Sequence, residues 1–524
     1  LQDKAWRLTH LYKIRTKSGD IVTFVPNLIQ LRHIQERGGQ RYSAILKARQ
    51  FGMTTLYAID LLDESLWVSG NVSAIVAHEA KKLPEYFQIV ERAFENLPAQ
   101  LQPKTKTNTK YRYDFTTRFD GAALDSSIFV TIDVRGGTVH NLHITESAWI
   151  KDRQALNAAT KQAVPLTGRI SEETTGHGFN HFYDFYQLFD AIPKDRIGEM
   201  DYKTYFYAWW ENPEYTLPGT LPIPTPDDKL LYGDESRDKA LYKLSDGQLL
   251  WRRWKIRELS ADSSKSHLGL SGLQLFFQEY PATKLQAFQS GAGNIFDAEL
   301  VDSIKPRNPI PNQWVKENRP EIYEEFISLN KLGFVFWKLP SPGKKYVVGV
   351  DPSDGNGADS TDIDIWDKDG IEQVAQYYGK IRPDEGAEIA ARVCNFFNGA
   401  YIGVENNMLS FILELSKIYD HYYFTTTIDE RTTRRTKKLG WRTDSKSRDV
   451  MIDDFIKLFE ESHSKINSRI TLGEMKTFVK KENGKREHAD GKFDDALFGG
   501  FVAIQMIKMY RDRPRIFAVK PTGF

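Results

Sequence analysis

Cysteine is almost absent: the chain has 524 residues and one cysteine, Cys394. An intramolecular disulfide and a cysteine-built zinc or iron–sulfur site are therefore excluded, and a reducing compartment is the natural setting. Net charge is almost absent too, since 71 Lys and Arg against 70 Asp and Glu leave +1. The chain as a whole is no basic coat for nucleic acid, so any polyanion site must be a local patch. No uncharged apolar run approaches the ~18 residues of a membrane span, so no membrane partner is expected. No repeat of roughly 20–50 residues recurs. The chain opens at Leu1 with charged residues, and no secretory leader is expected in it. Glycine (36) and proline (22) are near average, which excludes collagen and low-complexity disorder. What is there is 40% hydrophobic, 27% charged and 13% aromatic, enough for more than one core.

The first third alternates short β-rich runs with helical stretches, a pattern that predicts a parallel sheet between helices. Pro213, Pro218, Pro222, Pro224 and Pro226 then mark an exposed connection. A second proline-rich stretch, from Pro306 to Pro320 and on to Pro340 and Pro342, is the strongest boundary. Beyond it an α/β pattern restarts with the apolar run Tyr346–Val350.

The strand Tyr42–Leu46 runs through Lys47-Ala-Arg-Gln-Phe-Gly-Met-Thr-Thr55 into a helix over 54–67. A strand, a tight turn with Gly52 and a helix start aim free backbone N–H groups at a phosphate. The Thr54 hydroxyl sits where a P-loop Ser or Thr holds Mg²⁺. The stretch departs from G-x-x-x-x-G-K-[ST]: Ala48 replaces the first glycine and Met53 the lysine. Lys47 and Arg49 are the two cations able to reach back over the loop, and the sequence does not choose between them. An ordinary strand–helix turn would read the same way alone. Asn141-Leu-His-Ile-Thr-Glu146 is an apolar strand with an acidic end, suited to orienting an attacking water through Glu146. Thr145 stands where an aspartate is usual, and Glu146 as an acid opening the next helix is the plain alternative. Arg169-Ile-Ser-Glu-Glu-Thr-Thr-Gly176 puts hydroxyls, Thr175 among them, at another strand end.

Three acids anchor the later part. Asp351 and Glu405 each end an apolar strand, and Asp494-Asp495 opens an apolar helix. Carboxylates so placed repel one another unless divalent cations neutralise them. Two Mg²⁺ or Mn²⁺ ions would suit phosphodiester cleavage. Singly, each acid also reads as an Asx turn, an ion-pair partner or a helix cap. Asp495 is the preferred ligand, with Asp494 as a possible sharer; Asp359, Asp362, Asp364 and His488 are either contributors or surface residues. Two basic runs flank these acids: Arg431–Lys438, and Lys476, Lys480, Lys481, Lys485 and Arg486 around Asn483-Gly484. Such loops suit a DNA backbone, or are simply solvated.

Together the Lys47–Thr55 loop, His143-Ile-Thr-Glu-Ser-Ala148 and Glu173-Thr-Thr-Gly176 resemble the ATPase of the large terminase subunit of tailed bacteriophages. The order Asp351, Glu405, Asp494-Asp495 resembles the ribonuclease H-like nuclease of the same family, and Phe277-Gln-Glu-Tyr-Pro281 resembles its linking segment. The resemblance spans roughly 24–510. It implies an α/β fold in which a P-loop ATPase core with a parallel-rich sheet (1–212) precedes a lid or linker subdomain (213–340). A ribonuclease H-like nuclease (341–510) and a tail (511–524) follow. It implies Lys47 as a displaced phosphate lysine and Arg49 and Gln50 as parts of the Arg-Gln-x-Gly loop with Gly52, Thr54 and Thr55. It also implies Gln30 as an adenine reader and Arg135 as an arginine that reaches a neighbouring subunit's ATP. The implied activity is ATP·Mg²⁺-driven translocation of double-stranded DNA, with metal-dependent cutting of concatemers. The implied partners are a small terminase subunit, the portal of a procapsid and copies of the chain in a ring, commonly of five, in the host cytoplasm. Two other readings share parts of the pattern: a transposase- or integrase-like recombinase, which needs the acids but no ATP, and a DNA-binding scaffold with both sites silent.

Overall fold

The structure is a computed structural model that describes residues 1–134, 137–151, 153–223, 225, 228, 231–263, 271–289, 293–296, 298–357, 359–428, 435–462, 465–481, 483–489 and 491–511. Arg135, the segment Arg431–Arg434 and the tail beyond Arg511 lie outside the described residues. The chain forms two compact units, Leu1–Gly293 and Asn294–Phe524.

The first unit is built on an eight-stranded sheet. Its strands are β1 (Tyr42–Lys47), β2 (Val72–Val76), β3 (Lys104–Thr109), β4 (Arg112–Thr117), β5 (Ala123–Thr131), β6 (Asn141–Thr145), β7 (Arg169–Thr174) and β8 (Tyr202–Tyr207). Their order is β8-β1-β7-β6-β2-β5-β4-β3. The first six in that order pair in parallel, and β4 and β3 extend the edge as antiparallel strands. Every residue of β1 and of β6 is buried. A parallel strand covered on both faces has no solvent side, so the polar Asn141, His143 and Thr145 of β6 are buried with their apolar neighbours. Ile75 enters one apolar cluster and its neighbours Ala74 and Val76 the other, so a core lies on each face of the sheet. Helix α1 (Met53–Trp67) follows β1 and buries Asp60 and Asp63 as well as its leucines. Arg7 meets Asp63 at 2.6 Å and Tyr12 donates to the same carboxylate, so the acid is buried with partners.

The second unit holds a five-stranded sheet of β9 (Val335–Phe336), β10 (Tyr346–Asp351), β11 (Thr361–Asp367), β12 (Glu372–Gly379) and β13 (Tyr401–Val404). The order is β9-β12-β11-β10-β13, antiparallel throughout except for the parallel pair β10 and β13. Val348, Val350, Ile402 and Val404 face one core, and Val347 and Tyr401 face the other. On that second face runs α2 (Asp495–Lys508), almost wholly buried. Gly349 sets its approach: a Cβ there would lie 2.1 Å from the Gly499 carbonyl oxygen.

The two units divide elsewhere than at the expected boundary of 340. Tyr215, Trp251 and Phe276 pack into the first unit's core, whereas Val315, Phe326, Leu329 and Phe336 pack into the second's. The expected 213–340 subdomain is thus shared between two cores, because its proline-rich stretches carry buried aromatics that a linker would not. Among the described residues no helix is long and apolar enough to cross a membrane.

Candidate nucleotide and metal sites

The loop after β1 is held by its neighbours. Ala48 N–H donates to the Tyr207 carbonyl and Arg49 N–H to the Glu279 carbonyl, and the Tyr215 hydroxyl donates to the Arg49 carbonyl. Gln50 (φ 61°) and Gly52 (φ 71°) both take the left-handed region, which turns the chain sharply into α1. No side chain caps α1 at Gly52. The first turn of a helix has no intrahelical acceptors for its N–H groups, so an uncapped start is suited to an anion. A cavity of about 470 Å³ opens there, in the range of ligand sites. Lys47, Arg49, Gln50, Gly52, Thr54, Thr55, Glu146 and Thr175 all line it. Gln30 does not: its amide donates to the Gly52 carbonyl at 2.7 Å and its oxygen accepts from Asn27 N–H in a capping box. The structure places Gln30 as a brace under the loop.

The two candidate cations differ sharply. The Lys47 side chain is 6% exposed, with Nζ 2.9 Å from Glu173 and 3.9 Å from Glu146. Arg49 is 57% exposed and sits 3.1 Å from Glu279. Burial would lower the Lys47 pKa, but the charges of Glu173 and Glu146 outweigh it and hold the ammonium protonated. Burial likewise pushes Glu173 up; Lys47, then His143 and Thr54, overcome it and keep the carboxylate ionised. Burial raises the Glu279 pKa despite Arg49.

Glu173 gathers the floor of the site. Its Oε1 accepts from the Thr54 hydroxyl and from the Thr145 hydroxyl (2.9 Å). Thr54 and Thr145 lie 3.2 Å apart. Glu146, at the end of β6, has φ 52° and ψ 47°. A left-handed glutamate is uncommon and strained, a feature that clusters at functional positions. Its Oε2 is approached by the Thr175 N–H (3.4 Å) and hydroxyl (3.5 Å).

In the second unit, Asp351 ends β10, and Glu405 follows β13 with its N–H on the Val350 carbonyl. The parallel register therefore sets both acids at one end of the sheet. Asn407 donates to Asp351 (3.0 Å) and approaches Glu405 (3.4 Å). Asp495 opens α2 and accepts from the Ser360 N–H at 2.8 Å, one residue before β11. Asp494 is turned aside, toward the His488 N–H (3.3 Å) and Arg448 (3.6 Å). Burial, then the charges of Glu405 and Asp495, push the Asp351 carboxyl well above its ordinary value. Oxygen donors that repel in this way fit a hard divalent cation. Among the described residues no group of three or more His, Cys, Asp or Glu side chains stands in an arrangement that could hold a metal ion.

Asp362 and Asp364 are fully buried rather than on the surface. They accept from Gln376 (2.8 Å) and Gln373 (2.9 Å). Asp359 is exposed. The second basic run is largely paired: Arg486 bonds Asp449 and Asp453, Lys485 meets Glu487 and Lys476 meets Asp302. The reading from sequence missed two acids. Glu173 lies beside Glu172 in the stretch read for its hydroxyls rather than its acids, and Glu474, which accepts from the Leu497 N–H at 2.9 Å, is pushed up to about 8 by burial.

No family model matches the sequence. Solved structures similar to the chain include the HK97 bacteriophage large terminase, at 11% identity over 95% of this chain and 97% of that one, with a TM-score of 0.40. The large terminase nuclease from thermophilic phage G20c with bound magnesium is similar over 41% of this chain and 97% of its own, at 12% identity and a TM-score of 0.30. The Thermus phage P74-26 large terminase ATPase domain is similar over 44% and 92%, at 16% identity and a TM-score of 0.29.

Proposed function

We propose that the chain is a DNA-packaging motor subunit of the large terminase kind, hydrolysing ATP in its first unit and cutting DNA in its second. The observation that carries the first half is the junction of Lys47, Thr54 and Glu146 around the cavity at the uncapped start of α1. There Lys47 binds phosphate oxygens as a buried, fixed cation, and the loop N–H groups receive the remaining negative charge. Arg49, exposed and held by Glu279, is the movable second cation. Glu146 accepts a proton from, and so orients, the attacking water, with Thr175 fixing its carboxylate. Mg²⁺, when bound beside Thr54, would neutralise phosphate charge. Arg135 is proposed as the arginine offered to a neighbouring copy.

The second half rests on Asp351, Glu405 and Asp495. Divalent cations there would supply a water nucleophile and steady the leaving oxygen. Asn407 fixes the Asp351 and Glu405 oxygens relative to each other, and Ser360 fixes Asp495. Asp494 serves as a support rather than a ligand. Partners on this reading are double-stranded DNA, a small terminase subunit, a portal and further copies of the chain, in the host cytoplasm. The test is phosphate release by pure protein with and without linear duplex DNA. The expected result is DNA-stimulated hydrolysis that falls at least ~100-fold in Glu146→Gln. No hydrolysis by wild type favours a recombinase or a silent scaffold instead.

A further inference from the structure

β6 carries Thr145 immediately before Glu146, so this strand brings only one acid to the nucleotide site. The next strand compensates. Successive side chains of a strand face opposite sides, and the two adjacent acids of β7 divide accordingly. Glu172 pairs with Arg153 at 2.6 Å and accepts from Ser147. Glu173 faces the other way, fully buried, onto Lys47, Thr54, Thr145 and His143. β7 lies between β1 and β6, so a carboxylate at its end sits between the ends of both neighbours. Thr145 is reduced to a donor that orients this carboxylate (2.9 Å). His143, whose other ring nitrogen is engaged by Ser171 (2.9 Å) and whose face stacks on Tyr57 (4.3 Å), walls it off from behind.

Resting on the ATP reading, we propose that Glu173 is the second acid of the nucleotide site. From the neighbouring strand it positions the Lys47 ammonium and the Thr54 hydroxyl, the work that an acid at position 145 would otherwise do. It is a positioning residue. Lys47 and Thr54 meet the phosphates and their cation, and Glu173 sets where each of them points. Because the Thr54 hydroxyl would hold Mg²⁺ on that reading, loss of Glu173 weakens nucleotide binding more with Mg²⁺ than without it.

The experiment titrates the full chain with a fluorescent ATP analogue, once with Mg²⁺ and once with EDTA. The proteins are wild type, Glu173→Gln, Glu173→Asp and the double variant Thr145→Asp/Glu173→Gln, each with its melting temperature. In wild type Mg²⁺ strengthens binding by about tenfold, or ~1.4 kcal/mol. Glu173→Gln loses that gain, so its affinity falls by about tenfold more in Mg²⁺ than in EDTA. The double variant restores the gain, because the 3.2 Å spacing of Thr54 and Thr145 lets an acid at 145 reach the same hydroxyl. Glu173→Asp falls between. Should Glu173→Gln fail to fold, the double variant, which keeps the buried charge balance, carries the test. An undiminished Mg²⁺ gain in Glu173→Gln, or equal losses in Mg²⁺ and EDTA with no rescue at 145, overturns the proposal for Glu173 alone. Wild type that binds no nucleotide under either condition overturns the ATP reading beneath it.

Discussion

Replacing Lys47 with methionine keeps the aliphatic stem and removes only the charge. The ammonium is 6% exposed and its partner Glu173 is wholly buried, 2.9 Å away. The variant therefore leaves a carboxylate in a low-dielectric floor without its cation. Breaking one side of such a pair costs about 3–5 kcal/mol. At roughly 2–4 °C per kcal/mol for a unit of this size, the melting temperature of the first unit falls by roughly 6–20 °C. Arg49 is the control. It is 57% exposed, and its pair with Glu279 is of the kind worth at most ~1 kcal/mol, so Arg49→Ala melts within a few degrees of wild type. The double variant Lys47→Met/Glu173→Gln removes both charges and recovers a coupling of about 2 kcal/mol or more. Differential scanning calorimetry on wild type, Lys47→Met, Glu173→Gln, their double variant and Arg49→Ala reads all of this. If Lys47→Met melts like Arg49→Ala, or the double variant melts at the sum of the single losses, the buried pair is not what organises the site.

Three further outcomes follow from the same geometry. Burial pushes Asp364 up to about 7, so the folded state keeps a proton that the unfolded chain gives up near pH 4. Asp364 thus contributes a fall in stability of on the order of 4 kcal/mol as pH rises from about 4 to 7; Asp351 and Glu474, also held high, add to the slope, so Asp364→Asn makes it shallower in urea melts of the second unit without abolishing it. Gly349→Val puts a side chain 2.1 Å from the Gly499 carbonyl and 2.3 Å from the Ala503 nitrogen, so α2 must leave β10. Its unfolding free energy should drop by at least ~3 kcal/mol, and unchanged stability would show that the helix packs elsewhere. Asp351→Asn removes a carboxyl held high by burial and by Glu405. It should abolish Mn²⁺-dependent plasmid cutting and raise the second unit's stability, whereas normal cutting removes Asp351 from the site.

The parts legible in the sequence are those where one local rule decides. β1 is a six-residue apolar run that ends at a lysine and turns at a glycine, and its loop, its helix and its cavity stand where that pattern puts them. Asp351 and Glu405 each end a short apolar run, and the parallel pairing of β10 with β13 brings them to one end. What was illegible depends on pairing between distant strands. The stretch holding Glu172 and Glu173 reads as a strand end bearing hydroxyls, and only the insertion of β7 between β1 and β6 shows that one acid turns to Arg153 and the other to Lys47. Gln30 is an adenine candidate by resemblance alone, and the contact that its amide makes with the Gly52 carbonyl at 2.7 Å depends on the left-handed turn there. The segment 213–340 reads as a lid or linker subdomain because prolines punctuate it, yet Phe326 and Leu329 within it are completely buried. Proline marks where an element stops, and burial decides to which core it belongs.

The central claim is that one chain carries both a nucleoside triphosphate engine and a metal-dependent DNA cutter. It is tested most directly by incubating supercoiled plasmid with pure protein, ATP and Mn²⁺ or Mg²⁺, following phosphate and plasmid form in the same tube. The account predicts that wild type releases phosphate and linearises the plasmid, that Glu146→Gln stops the first and that Asp351→Asn stops the second. A wild-type protein that does only one of these, or variants that keep the activity assigned to their own site, would contradict it.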